Sequence, residues 1–475
     1  MANIFERAGD FLASRIAWYM APQALAEMKR KEAYYGGAQP KQLKLKAGQY
    51  DDNLITNFIK LAVDRSTSML FGGGVEFSVP EGNEHEKKRF LDAMWEANKK
   101  SILLSRWGMD GEVYGTSYFK IMPEGIRHGD KLYPRLVLLD PKLMSIRCNE
   151  MDAEQVEAYI FEVKMGEDVV REVTRPAKED EAVDLGDGYE TLAPINSWVI
   201  EKYATEKGGQ LKMVSQTLWS YDFPPIIHVQ NLPGLHTVTG ISGIAGLEDI
   251  QDKYNLVISN MLKIVRYHST PKTWGSGLPS GSAMERVSWG PDEIIKISSE
   301  NGKLQNLEMQ SDLSSSRNIA LDLRQSMFDL ARVVDIASIT DKIGALTNFG
   351  LRVLYSDALS KNEIRRALYG DALIEMNRRC LILNDMDGDN DVVWGSDMPA
   401  DEKEDAALIL QDLAAGLTSK ETAAEERGYT WKTTVNEAGV IETGEEDKIK
   451  AEQAQGANLA NNALVNLLTG NQTVQ

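Results

Sequence analysis

The pattern of apolar and polar residues divides the chain into a helical start, a strand-rich middle and a helical second half. Residues 3–35 have the apolar spacing of an amphipathic helix, which a Gly-Gly pair stops, and residues 53–71 predict a second helix. The chain is also predicted to be helical from about residue 84 to residue 112. Apolar and polar positions then alternate between residues 113 and 235 and predict strands. We therefore expect an α+β region with an antiparallel sheet.

Long helices dominate the chain from residue 241 onward. Apolar residues at helical spacing predict one helix over residues 241–269 and a second over 311–338. Their apolar stripes are Ile244, Leu247, Ile250, Tyr254, Val257, Met261 and Val265 in the first helix and Leu313, Ile319, Leu323, Met327, Leu330 and Val334 in the second. The Gly/Pro/Ser-rich residues 270–310 between them contain two short strand-like runs. This order predicts a helical hairpin with a small insert at its tip.

A loop-like break over residues 335–350 separates the hairpin from a third long helix, which ends near residue 383. Gly350 and Gly370 are candidate bends in this helix. Residues 391–396 then predict one late strand.

Two short helices follow residue 397. We expect Gly416 to end the first of them, and Thr418 to cap the second with Glu421 completing a capping box. The end of the chain is acidic and then rich in Gln, Asn and Ala, which fits either a helix or a partly ordered tail.

Length, charge and cysteine usage narrow the class of protein. The chain has 475 residues, of which 43% are apolar, enough for several structural parts with a sizeable core. Its formal net charge of −19 argues against tight DNA binding, but it suits a wall that DNA slides past, since few phosphates would be neutralised. Two distant cysteines, and no signal-peptide or membrane-spanning run, predict a cytosolic protein or one that works in a particle assembled there.

Three consecutive glycines, Gly72 to Gly74, raise the question of a phosphate-binding loop. A P-loop or dinucleotide-binding turn follows a strand and opens a helix, and a P-loop also carries a lysine after its glycines. Here the predicted order is helix, glycines, strand, and no lysine follows. We therefore expect a helix-to-strand turn, with nucleotide binding as the alternative.

Other candidate chemistry is sparse. Four aspartates have a spacing similar to that of a calcium loop: Asp385, Asp387, Asp389 and Asp391. Asn390 and Ser396 stand where an EF-hand needs glycine and glutamate, so a hydrated acidic turn is the preferred interpretation and weak cation binding the alternative. The five histidines show no metal-ligand spacing, and no nucleophile motif is present. We expect no enzymatic activity and no cofactor.

Basic residues concentrate on the two hairpin helices and at the start of the insert: Lys253, Lys263, Arg266, Lys272, Arg317, Arg324 and Arg332. They alternate with acidic residues, so they fit either ordinary helix-surface charges or ion pairs between subunits.

The order of these parts resembles the portal proteins of tailed double-stranded DNA bacteriophages. The resemblance rests on "YYGGAQP" (34–40), "NLITNFIKLAVDRSTSMLFGGGVEF" (53–77) and "GEVYGTSYFKI" (111–121) before the mixed sheet, and on "LAAGLTSKETAAEERG" (413–428) near the end. It covers roughly residues 20–450. Portals have no short invariant motif, so the resemblance lies in the order and character of the segments, and residues 451–475 have no clear counterpart.

The resemblance implies a portal-type architecture with an α/β wing, a two-helix stem, a small α/β clip, a long tunnel helix and a helical crown. Its implied boundaries are wing 1–240, stem helices 241–269 and 311–334, clip 270–310, tunnel loop 335–349, tunnel helix and wing strand 350–396, and crown and tail 397–475. It further implies a closed ring, usually of twelve subunits, at one capsid vertex of the virion. Such a ring serves as the conduit for DNA packaging and ejection.

The resemblance also implies partners and candidate contact residues. The partners are the large terminase, a head–tail connector or adaptor, the major capsid and scaffolding proteins and the DNA in the channel; no membrane is involved. The candidate residues are Ile339, Thr340, Asp341, Lys342 and Asn348 facing the DNA, Lys253, Lys263, Arg266, Arg324 and Arg332 between subunits or along the channel, and Trp274, Met284, Arg286 and Trp289 in the clip. A structural adaptor or scaffold built on long helices is the alternative function, ahead of a nucleotide-binding enzyme.

Overall fold

The structure is a computed structural model that describes most of the chain from residue 22 to residue 450. The described residues are 22–47, 50–80, 84–149, 151–152, 155–166, 168–178, 181–184, 190–205, 211–235, 237–269, 272–276, 303–307, 313–337, 348–396, 402–425, 431–432, 434–435, 441–442 and 444–450. They belong to two compact units, Met1–Asp397 and Met398–Gln475.

Helices and strands are mixed throughout the first unit, which confirms the predicted α+β class. Its helices are α1 (Pro22–Tyr35), α2 (Phe58–Phe71), α3 (Glu84–Ala97), α4 (Lys100–Tyr114), α5 (Glu248–Ser269), α6 (Leu313–Ala331) and α7 (Asn348–Ile382). Its strands are β1 (Val75–Ser78), β2 (Thr116–His128), β3 (Lys131–Leu139), β4 (Met144–Cys148), β5 (Val156–Met165), β6 (Asp168–Pro176), β7 (Ala182–Asp184), β8 (Glu190–Leu192), β9 (Trp198–Thr205), β10 (Leu211–Trp219), β11 (Ile226–Gln230), β12 (Lys272–Ser276), β13 (Lys303–Leu307) and β14 (Asp391–Trp394).

The strands pair antiparallel, as the alternating pattern predicts. One sheet has the order β10-β9-β6-β5-β4 and a second the order β11-β2-β3. Within the predicted insert, β12 pairs with β13 from Lys272 opposite Leu307 to Ser276 opposite Lys303. The late strand β14 pairs with β1, with Val75 opposite Trp394. The last strand of this unit therefore pairs with its first strand.

The three glycines form the predicted turn between α2 and β1. Gly74 has a φ of +85°, a left-handed conformation that glycine adopts without strain. A Cβ on Gly73 would lie 2.4 Å from the carbonyl oxygen of Ser396, so the chain directly after β14 can approach only a glycine here. The turn prediction is confirmed, and the turn's role is to let two strands meet.

The main core lies between helices α2, α3, α4 and α7 and strands β1 to β3. It is built from large aromatic and aliphatic side chains, among them Trp95, Trp107 and Tyr369, which are fully buried. Each buried indole finds a partner: Trp95 Nε1 donates to Asn377 Oδ1 at 2.8 Å, and Trp107 Nε1 donates to Ser117 Oγ at 2.6 Å. The long helix α7 is therefore fastened into the core by its second half.

The helical stretch predicted over residues 84–112 is confirmed, but it is not one continuous element. It is two helices, α3 and α4, because Lys99 between them has a φ of +55° and turns the chain. Neither glycine nor proline marks the break in the sequence, so the apolar spacing continued across it.

The hairpin helices are shorter than predicted. The first begins at Glu248 rather than residue 241, because residues 241–247 are held against the end of α4, where Ser242 Oγ donates to the carbonyl of Val113 at 2.7 Å. The second ends at Ala331, and Arg332 follows with a φ of +52°. The third long helix, α7, spans 35 residues and continues through Gly350 and Gly370.

The second unit contains α8 (Glu402–Ala414), α9 (Lys420–Glu425) and the paired strands β15 (Thr434–Val435) and β16 (Ile441–Glu442). Gly416 follows α8 with a φ of +71°, as predicted for a helix stop. The Thr418 cap is wrong: Ser419 Oγ accepts from the N–H of Thr422 at 3.1 Å. The helix starts one residue later than predicted, so Glu421 is not in the capping-box position and pairs instead with Lys432 at 2.5 Å.

Candidate functional site

The α5–α6 hairpin is the first candidate site, since its helices pack together and leave much apolar surface exposed. On α6 the buried line is Ala320, Met327, Phe328 and Ala331. Two members of the predicted stripe lie outside this line: Ile319 is 52% exposed and Leu330 is 62% exposed. Within the single chain α5 and α2 cover the neighbouring face of α6, so these two positions of the predicted stripe are not buried inside the subunit.

The buried face of α5 is polar and fastens an extended segment of the chain. Gln251 Oε1 accepts from the N–H of Phe58 at 3.1 Å. Asn255 Oδ1 accepts from the N–H of Thr56 at 3.1 Å, and Ser259 Oγ accepts from the N–H of Leu54 at 2.9 Å. Sequence reasoning missed this ladder, although its signal is present: three polar side chains four residues apart on one helix.

Two of the five basic residues proposed for the stem form ion pairs within the chain. Arg266 binds Asp52 through two hydrogen bonds, and Arg324 Nη2 donates to Asp335 Oδ1 at 2.8 Å. The Arg324 guanidinium also lies 5.1 Å from the ring centroid of Phe58. The other three, Lys253, Lys263 and Arg332, are exposed or half-buried on the hairpin surface.

Most of the predicted tunnel-loop and clip residues lie outside the described residues. These are Ile339, Thr340, Asp341, Lys342, Met284, Arg286 and Trp289, together with the tail after residue 450 and the start of the first predicted helix. Asn348 is the first residue of α7, and Trp274 lies in β12 opposite Gln305.

A buried ionic cluster lies at the foot of the hairpin and joins it to α7. Glu112 of α4 forms an ion pair with Lys361 of α7, and its Oε2 is 3.5 Å from Arg365 Nη2. Asn231 Nδ2 donates to Glu112 Oε2 at 2.9 Å. All three ionic side chains are at most 4% exposed. The charges are therefore compensated inside the protein rather than by water.

The electrostatics of the cluster follow from burial and from its two cations. Burial raises the pKa of Glu112, but Arg365 and Lys361 outweigh it and hold the carboxyl pKa at about 2. Burial lowers the pKa of Lys361, and the neighbouring Glu112 acts in the opposite direction and raises it. The carboxylate is charged at neutral pH, which is the state that the two cations require.

The cluster also holds four helices in register. Lys361 Nζ donates to the carbonyl of Ala331 at the end of α6, at 3.1 Å. Arg365 Nη1 donates to the carbonyl of Ser66 in α2 at 3.0 Å, and its Nε donates to Asn231 Oδ1 at 2.9 Å. Movement of α7 along its axis would therefore break contacts with α2, α4 and α6 together. Sequence reasoning missed these residues, because single charged residues on helices look like surface charges.

The remaining candidate chemistry of the sequence is the acidic turn, the histidines and the cysteines. No group of three or more His, Cys, Asp or Glu side chains in the described part of the chain could hold a metal ion. In the acidic turn, Asp387 Oδ2 accepts from Lys87 Nζ at 2.9 Å. Burial lowers the pKa of His228 to about 4, and its Nδ1 lies 3.2 Å from the hydroxyl of Tyr159. Both cysteines, Cys148 and Cys380, are free thiols.

Comparison with known proteins gives the family of the chain. Among the described residues, every helix is too short or too polar to cross a membrane. A search of curated proteins finds no match to the chain. A family model described as "Phage portal protein, SPP1 Gp6-like" matches residues 19–457, far more than half of the sequence. Members of this family are structural proteins of the phage particle. The chain therefore belongs to the SPP1 Gp6-like family of phage portal proteins.

Proposed function

We propose that the chain assembles into a closed ring of about twelve copies at one vertex of a phage capsid, where the ring is the conduit for packaged and ejected DNA. Family membership supports a portal role. The observation that carries the ring is the exposed apolar surface of the long helices. Among the described residues, exposed apolar side chains on the hairpin and α7 include Leu262, Ile319, Leu330, Val353 and Ile364.

Ring closure gives these side chains a partner. Burying a large aliphatic side chain contributes about 1.5–3 kcal/mol, so several per subunit, repeated at every junction, would stabilise an assembly. A head-to-tail contact between identical subunits rotates each copy relative to the one before it. When the repeated rotation returns to the first copy the subunits form a closed ring, and otherwise they form an open filament.

The conduit role fits the charge of the chain. A net charge of −19 disfavours tight phosphate binding, so DNA would pass without sticking to the wall. In this proposal residues 335–349 form the tunnel loop, with Ile339, Thr340, Asp341, Lys342 and Asn348 nearest the DNA. Helix α7 runs beside the channel, and the buried cluster of Glu112, Lys361 and Arg365 keeps it in register with the hairpin.

The remaining parts of the ring would contact other components of the particle. The insert over residues 270–310, with Trp274, Met284, Arg286 and Trp289, would be the clip that meets the large terminase during packaging and the head–tail connector afterwards. Residues 1–240 with β14 would form the wing, and residues 397–475 the crown inside the capsid. The major capsid and scaffolding proteins would surround the wing after assembly in the host cytoplasm.

The experiment that tests this proposal compares two aspartate substitutions. Leu330→Asp places a charge on the exposed apolar face of α6, and it should convert rings into monomers because the charge would be buried at each junction. Ile195→Asp is the matched control, since Ile195 is 91% exposed in the turn before β9. Native mass measurements of both variants show whether each variant still forms rings. Rings from Leu330→Asp would contradict the stem interface.

A further inference from the structure

We propose that neighbouring subunits dock through charge pairs between the outer face of α5 in one copy and the outer face of α6 in a second copy of this chain. Lys253 and Lys263 of α5 would meet Asp329 and Asp322 of α6. The proposal rests on the ring proposed above and adds to it the residues that form each junction.

The α5 side of the junction extends from the edge of the polar ladder, which faces the chain's own interior, to the opposite side of the helix. Gln251, Asn255 and Ser259 are buried on one side of the helix. At about 100° per residue, Lys253 projects from the opposite side, whereas Lys263 lies at the edge of the ladder, about 40° from Ser259 and about 80° from Lys253. Lys253 is exposed and Lys263 is half-buried. Apolar residues share this outer face: Leu256, Val257 and Ile264 are half-buried. The face therefore combines two cations with an apolar surface.

The α6 side has the opposite charge. Asp322 and Asp329 are seven residues apart, so they project within about 20° of each other. Both are exposed, on the side away from the buried Met327 and Ala331. The exposed Ile319 and Leu330 flank them. Among the residues that the structure describes, neither these two carboxylates nor the two α5 ammonium groups form an ion pair, although Lys263 lies close enough to Asp52 to help lower its pKa.

The order and spacing of the charges fit an antiparallel docking. Helix α5 runs from the foot of the hairpin to its tip and α6 runs back, so Lys253 and Asp329 both lie near the foot. Towards the tip, Lys263 is about 15 Å above Lys253, and Asp322 is about 10 Å above Asp329. The flexible four-carbon stems of the lysines span the difference between the lysine spacing and the aspartate spacing. When the hairpins of neighbouring subunits point the same way, a lysine of one subunit therefore faces an aspartate of the next at two heights along the hairpin.

Two complementary charge reversals test this pairing. The first variant carries Lys253→Glu and Lys263→Glu, and the second carries Asp322→Lys and Asp329→Lys. Each variant alone presents like charges at every junction, so each should remain monomeric under conditions in which the parent forms rings. When the two are mixed, every junction is again complementary if the copies alternate. Native mass spectrometry should then show rings of the parental subunit number with equal amounts of both chains.

A matched control separates the pairing from general effects of charge. Lys29→Glu with Lys88→Glu reverses two exposed lysines on α1 and α3, and this variant should form rings as the parent does. Thermal unfolding of each monomer shows that the reversals leave the fold intact. Parental rings from either reversed variant alone, or a mixture that remains monomeric, would overturn the pairing. A parent protein that forms no ring would overturn both proposals, whereas a parent ring that tolerates either reversal overturns only the pairing.

Discussion

Arg266 of α5 binds Asp52 in the extended segment before α2 through two parallel hydrogen bonds, of 2.9 Å from Nε to Oδ1 and 2.6 Å from Nη2 to Oδ2. The Asp52 side chain is only 3% exposed, and the Arg266 guanidinium also lies 5.2 Å from the ring centroid of Tyr50. The pair continues the polar ladder of α5 towards the hairpin tip. It therefore anchors the distal half of α5 to the body of the same subunit.

Breaking this pair should loosen α5 in a pH-dependent way. The hydrogen bonds from Arg266 hold the pKa of Asp52 below its usual value. A carboxyl pKa lowered by folding stabilises the protein above its unfolded pKa, and the stabilisation is lost as pH falls through the lowered pKa. Asp52→Asn should therefore lower the melting temperature at pH 7. The difference from the parent should shrink as pH falls below about 4. A difference that stays constant across that range would contradict the assigned role of the pair.

Glu112→Gln should be among the most destabilising single substitutions in the protein. It leaves Lys361 and Arg365 without their buried counter-charge, which costs about 3–5 kcal/mol of unfolding free energy. Urea denaturation measures the loss. Adding Lys361→Met should recover part of it, because one uncompensated charge is removed. If the double variant were less stable than Glu112→Gln, the electrostatic explanation would be wrong.

The same carboxylate makes the parent acid-sensitive. The pKa of Glu112 is about 2 in the folded protein against an ordinary value of 4.5. Its stabilisation is complete above the ordinary value and is lost as pH falls towards 2. The urea midpoint of the parent should therefore decline over this window more steeply than that of Glu112→Gln. Parallel pH profiles for the two proteins would count against the cluster.

Gly243 allows the loop before α5 to approach the ionic cluster. A Cβ there would lie 2.0 Å from Glu112 Oε1, so Gly243→Ala should cost about 1–3 kcal/mol through overpacking. Gly370→Ala is the matched comparison inside α7, where the nearest atom to the new Cβ is Trp394 Nε1 at 3.4 Å. That substitution should be neutral or stabilising by up to about 1 kcal/mol, since alanine favours helix. Equal effects of the two substitutions on the melting temperature would refute the close approach.

Lys99 is strained at the break between α3 and α4. Its φ of +55° costs a non-glycine residue about 1–2 kcal/mol, and its side chain is exposed. Lys99→Gly should raise the melting temperature, because the relief exceeds the entropy that glycine loses on folding. Lys88→Gly, in the interior of α3, should lower it. A lower melting temperature for Lys99→Gly would show that the left-handed backbone carries no strain.

Local turn chemistry and apolar spacing predicted much of this fold. The three glycines after α2 predicted a turn because helix and strand patterns stand on either side, and alternation predicted the antiparallel sheets. The start of α5 could not be predicted in this way. Ile244 and Leu247 continue its apolar spacing and are buried, yet they lie in the loop that packs on α4. Apolar spacing reports burial, and burial does not require the helix to extend that far.

The charged residues of the candidate site were harder to place. Arg266, Arg324, Lys361 and Arg365 look alike in the sequence, as basic residues on amphipathic helices. Their partners Asp52, Asp335 and Glu112 are brought to them by tertiary packing, for the first and last of these across more than two hundred residues. Only the polar ladder of Gln251, Asn255 and Ser259 has a local signal, since its spacing of four residues places it on one face of α5.

The most direct test of the central claim is the native mass of the purified protein, measured together with negative-stain images of the same sample. The monomer mass is 52.9 kDa, so a ring of about twelve copies would weigh roughly 635 kDa. We expect a particle near that mass with a central hole wide enough for duplex DNA. A compact oligomer with no central channel, or a chain that remains monomeric at every concentration, would contradict the conduit.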